Sequence, residues 1–245
     1  MKKVWAMVLL VAALALATGG SAGAQGGKPA SAKVAGAGKE PVVFLASDFL
    51  NSEKWAPLRE PRFARGYPGR LDNGYLINTA PPGAAPEEIK GLKDGAGLTI
   101  YGRREPLPLR FELSGTFQVD NDSAAGFVLN AGLEKDALTS HYLLLIYHGG
   151  INLWKYTFSD ASKDKGDYLK LAWCDRKLQP DTDYTLKVVT GFCGQNERGH
   201  GYTISVFVND DHALGVTDPA PFPPGTMGIW LGEGLAKVKE IKLKH

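Results

Sequence analysis

The stretch "HYLLLIYHGGINLWKYTF", residues 141–158, is apolar on both faces when laid out as strands. Gly149 and Gly150 supply a tight two-residue hairpin turn that pairs His148 with Ile151, Ile146 with Leu153 and Leu144 with Lys155. Alternation then puts Tyr142, Leu144, Ile146, Ile151 and Leu153 on one face, and Leu143, Leu145, Tyr147, Asn152, Trp154 and Tyr156 on the other. The first set reads as the core of a sandwich. The second is aromatic with one amide, and it admits two readings: a platform for a sugar ring, or a surface covered by the long segment from Leu58 to Lys90.

Working outward, short β-branched and aromatic runs recur between clusters of Gly, Asn, Asp and Pro: "PVVFLA", "PLRFELSGTFQV", "AAGFVLNAG", "DYTLKVVTG", "GYTISVFVND", "GTMGIWLG" and others. No segment sustains a helical period with caps, apart from one short turn expected in "APPGAAPEEIKGL". The fold class is therefore all-β, and a two-sheet antiparallel sandwich is the usual way to close so many strands.

The chain opens with Lys2 and Lys3, an apolar run from Val4 to Ala17, and small residues with Ala22 and Ala24 placed for cleavage before Gln25. That order is a secretory signal peptide over residues 1–24, and it places the protein in a secreted or periplasmic, bacterial setting. Residues 25–40, rich in Gly, Ala, Lys and Pro, read as a disordered leader, and 41–245 as one sandwich domain. No later run is apolar enough for a stable membrane span after processing. In an oxidising compartment Cys174 and Cys193 are expected to form a disulfide. The formal net charge is +2 with scattered basic residues, which argues against nucleic acid as a partner. The lysines of "KVKEIKLKH" alternate with Val238, Ile241 and Leu243 as the solvent side of a final strand.

The order of these elements resembles the concanavalin A-like lectin/glucanase superfamily, a jelly-roll sandwich of two curved antiparallel sheets. The resemblance is carried by "SDFLNSEKW" and "LDNGYLIN", the "FELSGTFQV" strand, "AGFVLNA" leading into "YLLLIYHGGINLWKY", then "LQPDTDYTLKVVTG", "YTISVFVNDDHALGVTD" and "GTMGIWLGEGLAKVKEIKLK". Within the superfamily the order is similar to laminin-G-like modules and to domains assigned to 3-keto-glycoside hydrolysis. The glucanase strand pattern E-x-D-x-x-E is absent. The N-S-G and E-x-Q elements of the keto-glycoside domains are also unmatched by "SAAGFVLNAG" and "HYLLLIYH". The resemblance therefore carries the fold and no catalytic residue.

Acidic residues fall mostly in turns, which their own backbone chemistry explains. "DNDSAAG" at 120–126 and "NDDH" at 209–212 also invite calcium, the one cofactor the sequence suggests, although neither follows the EF-hand spacing. The histidines share no metal-ligand spacing. The reading is thus a non-catalytic carbohydrate-binding or extracellular interaction module, its partner a carbohydrate or an extracellular protein. Tyr147, Asn152, Trp154 and Tyr156 are the candidate binding residues, because pyranose C–H faces stack on aromatic rings while an amide orients hydroxyls. The alternative is a glycoside hydrolase or lyase of the 3-keto-glycoside type.

Overall fold

The computed structural model describes residues 40–60, 68–79, 98–160, 165–193, 201–232 and 234–245. The signal peptide and leader expected over residues 1–39, the helical turn expected near 86–88 and most of the Leu58 to Lys90 segment lie outside them. Strands come in the order β1 (Val42–Leu45), β2 (Trp55–Pro57), β3 (Gly69–Asp72), β4 (Tyr75–Asn78), β5 (Leu98–Arg103), β6 (Glu112–Gln118), β7 (Ala124–Ala131), β8 (Leu133–Glu134) and β9 (Ala137–Leu138). They continue with β10 (His141–Tyr147), β11 (Gly150–Asp160), β12 (Lys165–Asp175), β13 (Tyr184–Cys193), β14 (Gly201–Val208), β15 (Asp211–Asp218), β16 (Thr226–Gly232) and β17 (Lys237–Lys244). A short 3-10 turn, Ala46–Leu50, follows β1. Among the described residues no helix is long and apolar enough to cross a membrane.

These strands form two large antiparallel sheets, as the sequence implied. The front sheet runs β12-β11-β10-β7-β16-β5-β2, and the back sheet β15-β14-β13-β6-β17-β4-β3 with β1 also on β17. The final strand alternates as read: Val238, Ile241 and Leu243 are fully buried and its lysines face outward. Between the sheets, Phe127, Leu144, Ile146, Ile151, Leu153 and Ile229 meet Leu113, Phe117, Leu186, Val188, Ile204 and Ile241, all without exposed surface. Phe117 and Phe127 cross edge to face at 5.1 Å, joining β6 to β7. Each buried aliphatic side chain of this kind contributes about 1.5–3 kcal/mol over leaving it in water.

The hairpin differs in detail from its sequence reading. Ile146 pairs with Ile151, Leu144 with Leu153 and Tyr147 with Gly150, so the turn centres on His148–Gly149. Gly150 instead opens β11 at φ 152, where a Cβ would stand 2.2 Å from the Cys174 carbonyl oxygen. The pairing moves by two residues, which preserves both faces.

The disulfide expectation is corrected: both cysteines are free thiols, Cys174 half-buried and Cys193 exposed. Arg176 meets Asp211 at 3.1 Å, which sets the Cys174 end of β12 beside the start of β15. Register then runs from Asp211 to Val208 and on to Leu186, near the start of β13. Cys193 ends that strand, roughly 20 Å further along, whereas a bridge needs Cα atoms within about 7 Å.

A buried ion pair ties the sheets at one end. Lys155 Nζ of β11 donates to Asp218 Oδ2 at 2.7 Å and to the Ala220 carbonyl at 2.6 Å, while the Tyr142 hydroxyl donates to the same carboxylate oxygen at 2.6 Å. Burial pulls the Asp218 carboxyl upward, but donors from Lys155, Tyr142 and the Ala220 N–H outweigh it and hold it below the usual carboxylate range. Burial and the adjoining carboxylate push Tyr142 far above the ordinary phenol range. A carboxyl with a lowered folded pKa adds stability above its unfolded value and loses it as pH falls through the folded one. Asp218→Asn should therefore cost about 3 kcal/mol in urea unfolding at pH 7, because it leaves Lys155 without its counter-charge. The gap to wild type should close only below about pH 4.

Candidate functional site

The face of the front sheet that points away from the back sheet is not uniformly open. Over its middle, Ala56, Leu58, Leu98, Ile100, Val128, Ala131, Leu138, Leu143 and Trp230 form a second buried cluster. Leu58 lies so close to β5 that a Cβ on Gly102 would stand 2.2 Å from its Cδ1. The β8–β9 hairpin brings Leu138 over the same face and is held there by two backbone bonds, Arg59 N–H to the Asp136 carbonyl at 2.9 Å and Leu138 N–H to the Arg59 carbonyl at 2.8 Å. The covering reading is thus realised at Leu58, with help from a hairpin that the sequence reading did not assign.

The four nominated residues part company on this face. Tyr156 has no exposed surface. Its ring packs on Tyr168 at 4.5 Å and on His141 at 5.1 Å. His141 Nδ1 donates to the Thr139 carbonyl at 2.6 Å, which leaves Nε2 to accept the Tyr168 hydroxyl at 3.4 Å. This end of the face is packed interior. Tyr147, Asn152 and Trp154 remain half-exposed. The Tyr147 ring folds back over the turn, near Gly149. Trp154 stands at the margin of the buried cluster and meets Tyr168 edge-on at 6.2 Å.

Beyond that margin lies a residue that sequence alternation missed. Leu153 pairs with Ala172 and Trp154 with Lys170, so Leu171 is an extra residue in β12, a bulge. Strict alternation from Lys170 would turn Trp173 toward the back sheet. The bulge turns it outward instead, paired with Asn152 and 61% exposed. Lys170 reaches over both indoles, its Nζ 4.9 Å from the Trp154 ring and 5.6 Å from the Trp173 ring. Such contacts contribute about 0.5–1 kcal/mol at exposed sites. Asn152 Oδ1 is out of reach of solvent and has no hydrogen-bond partner. Two indoles, an amide and an ammonium thus share one open margin formed by β11 and β12.

The other candidate features resolve differently. Asp120 accepts the Asp122 N–H at 3.0 Å and the Leu235 N–H at 3.1 Å, and its own N–H donates to Ser123 Oγ at 2.9 Å, so its carboxylate closes a turn. Asn209 and Asp210 sit at φ 52 and 66, the centre of the β14–β15 hairpin. Among the described residues no three His, Cys, Asp or Glu side chains gather as a metal site. A cleft of about 440 Å³ opens on the back sheet where β1 and the β3–β4 hairpin share the edge of β17, lined by Leu45, Ser47, Leu71, Asn73 and Lys239 among others. Among the described residues no aromatic ring lines it.

Solved structures with this architecture include the carbohydrate-binding module CBM66 from Bacillus subtilis, at 11% identity and a TM-score of 0.53, covering 78% of this chain and 96% of that one. The architecture they share with this chain is a sandwich of two antiparallel β-sheets. β-Agarase B from Zobellia galactanivorans aligns at 11% identity and a TM-score of 0.53 over 83% of this chain and 89% of its own. The carbohydrate recognition domain of Emp46p aligns in its metal-free form at 9% identity and 0.53 over 80% and 90%, and its potassium-bound form also matches. At these identities the likeness establishes the fold. No protein-family model matches the sequence, and no curated protein sequence does either.

The two kinds of aromatic on this face respond differently to truncation. Tyr156→Ala should lower unfolding free energy by about 3–5 kcal/mol, as large-to-small changes in packed interiors do. Trp173→Ala should stay within about 0.5 kcal/mol of wild type. Urea denaturation of both variants measures the contrast.

Proposed function

We propose that the protein is an exported, non-catalytic carbohydrate-binding module whose ligand lies across the β11–β12 margin of the front sheet. The observation that carries this reading is Trp173: a large indole held 61% exposed on a strand that needs nothing from it for packing, next to half-exposed Trp154. An indole face presents the π surface on which the C–H face of a pyranose stacks, and the NH2 end of the neighbouring Asn152 amide, whose Oδ1 is buried, offers a donor for ring hydroxyls. The fold neighbours include a carbohydrate-binding module and a carbohydrate recognition domain, which supports a glycan as the ligand class.

A binding role is favoured over catalysis by what the central strands carry on this face. Glycoside hydrolysis needs two carboxyl groups flanking one bond, about 5–9.5 Å apart. β10 and β11 place His141, Leu143, Leu145, Asn152, Trp154 and Tyr156 there, and none of these is acidic. The acidic side chains Asp120, Asp218, Asp210 and Asp211 are engaged in turns and ion pairs elsewhere.

On a glycan array the wild-type protein should retain a polysaccharide, and Trp173→Ala should lose it with its melting temperature nearly unchanged. Retention by Trp173→Ala equal to wild type would move the ligand off this face. Export rests on the signal-like first 24 residues, so protein recovered from outside the cytoplasm should begin at Gln25 by mass spectrometry, and an intact Met1 there would contradict it.

A further inference from the structure

We infer that the glycan bound at this margin is acidic, and that Lys170 recognises its anionic group. The inference rests on the carbohydrate-binding reading and names the class of sugar. Lysines on the strands of this protein are typically answered by carboxylates: Lys155 by Asp218, Lys187 by Asp210, Lys237 by Asp181, Lys239 by Asp183 and Lys242 by Glu240. Lys170 has no carboxylate partner among the described residues. It is held instead over the Trp154 and Trp173 rings, which fixes a positive charge between the two stacking surfaces.

That placement matches the shape of an acidic pyranose. A uronic acid or sulfated sugar carries a hydrophobic ring face and, a few ångströms from it, a negative group at the rim of the ring. Stacked on the part of the exposed Trp173 indole that Lys170 does not cover, it sets the negative group within reach of the ammonium, which lies 5.6 Å from that ring. A charge-assisted hydrogen bond forms there, stronger than one to a neutral hydroxyl. A neutral sugar stacked in the same place leaves the ammonium without a counter-charge. The carboxylate on the same face of β12, Asp175, opposite Gly150, stands beyond Trp173 and on the order of 15 Å along the strand from Lys170. It neither neutralises the lysine nor faces the same sugar, and it sets a direction: the anion belongs at the Lys170 end of the platform.

The chemistry is that of a carboxylate or a sulfate ester, and the test separates the two. Binding of the full chain is measured by calorimetry to three families of oligosaccharide: uronic acids, their carboxyl-reduced neutral counterparts, and sulfated forms of those neutral backbones. Lys170→Met keeps the apolar stem and removes the charge; Lys170→Arg keeps the charge. The expected result is binding to an anionic family, weakened about tenfold or more in Lys170→Met, largely retained in Lys170→Arg, and reduced by salt. Whichever anionic family binds names the source of the charge. Neutral and acidic forms bound equally, with dependence on Trp173 but not on Lys170, would overturn the inference and leave the carbohydrate reading intact. No binding to any family would overturn both.

Discussion

The front sheet is packed on both sides through its middle, and the rest of the molecule is arranged around that constraint. All eight residues of β7 are buried, with Ala125, Phe127 and Leu129 in the core between the sheets and Val128 and Ala131 in the second cluster. A strand covered on both faces must be apolar on both, which is why β10, hydrogen-bonded to β7, reads "HYLLLIY" without a polar alternation. Leu58, Leu138 and Trp230 complete the cover. What remains open is decided by where that cover stops, between Trp154 and Trp173, so the proposed binding margin is a by-product of how far the second core extends.

The fold was legible because its signals are redundant. Short apolar runs this numerous can each be misjudged by a residue without changing the count of sheets or their antiparallel sense. The hairpin at 148–149 shows the tolerance: the assumed pairing was displaced by two residues, and the pleat, with its period of two, put every side chain on the correct face regardless. The site was less legible because it depends on an odd displacement. A single extra residue at Leu171 inverts the faces of everything after it in β12, and nothing in "YLKLAWC" marks the extra residue in advance. Trp173 is therefore not named by the sequence reading, and Tyr156, correctly placed on the outer face, takes the covered alternative rather than the platform. The disulfide expectation failed for a different reason: compartment chemistry says whether two thiols would join, and says nothing about whether the fold brings them together.

Stability and recognition are kept apart in this chain. Lys155 and Asp218 hold their charges inside, bridging β11 to the end of β15, where loss of either partner is costly. Lys170 spends its charge on an edge strand, over rings that contribute little to the core. Lysine on an edge strand discourages pairing with another chain, and Lys170 stands on such a strand. Mutation of exposed Trp173 or Lys170 carries little risk to the fold, whereas His141, Tyr156 and Tyr168 form a packed end that cannot be altered as freely.

The most direct test of this account is a crystal structure of the protein with the oligosaccharide it binds best. The account predicts a pyranose ring stacked on Trp173 or Trp154, with ring carbons within about 4–4.5 Å of the indole and polar contacts to Asn152 and Lys170. A sugar seated in the cleft beside β1 and β17, or in the loops at the end of the sandwich, with the β11–β12 margin empty, would contradict it.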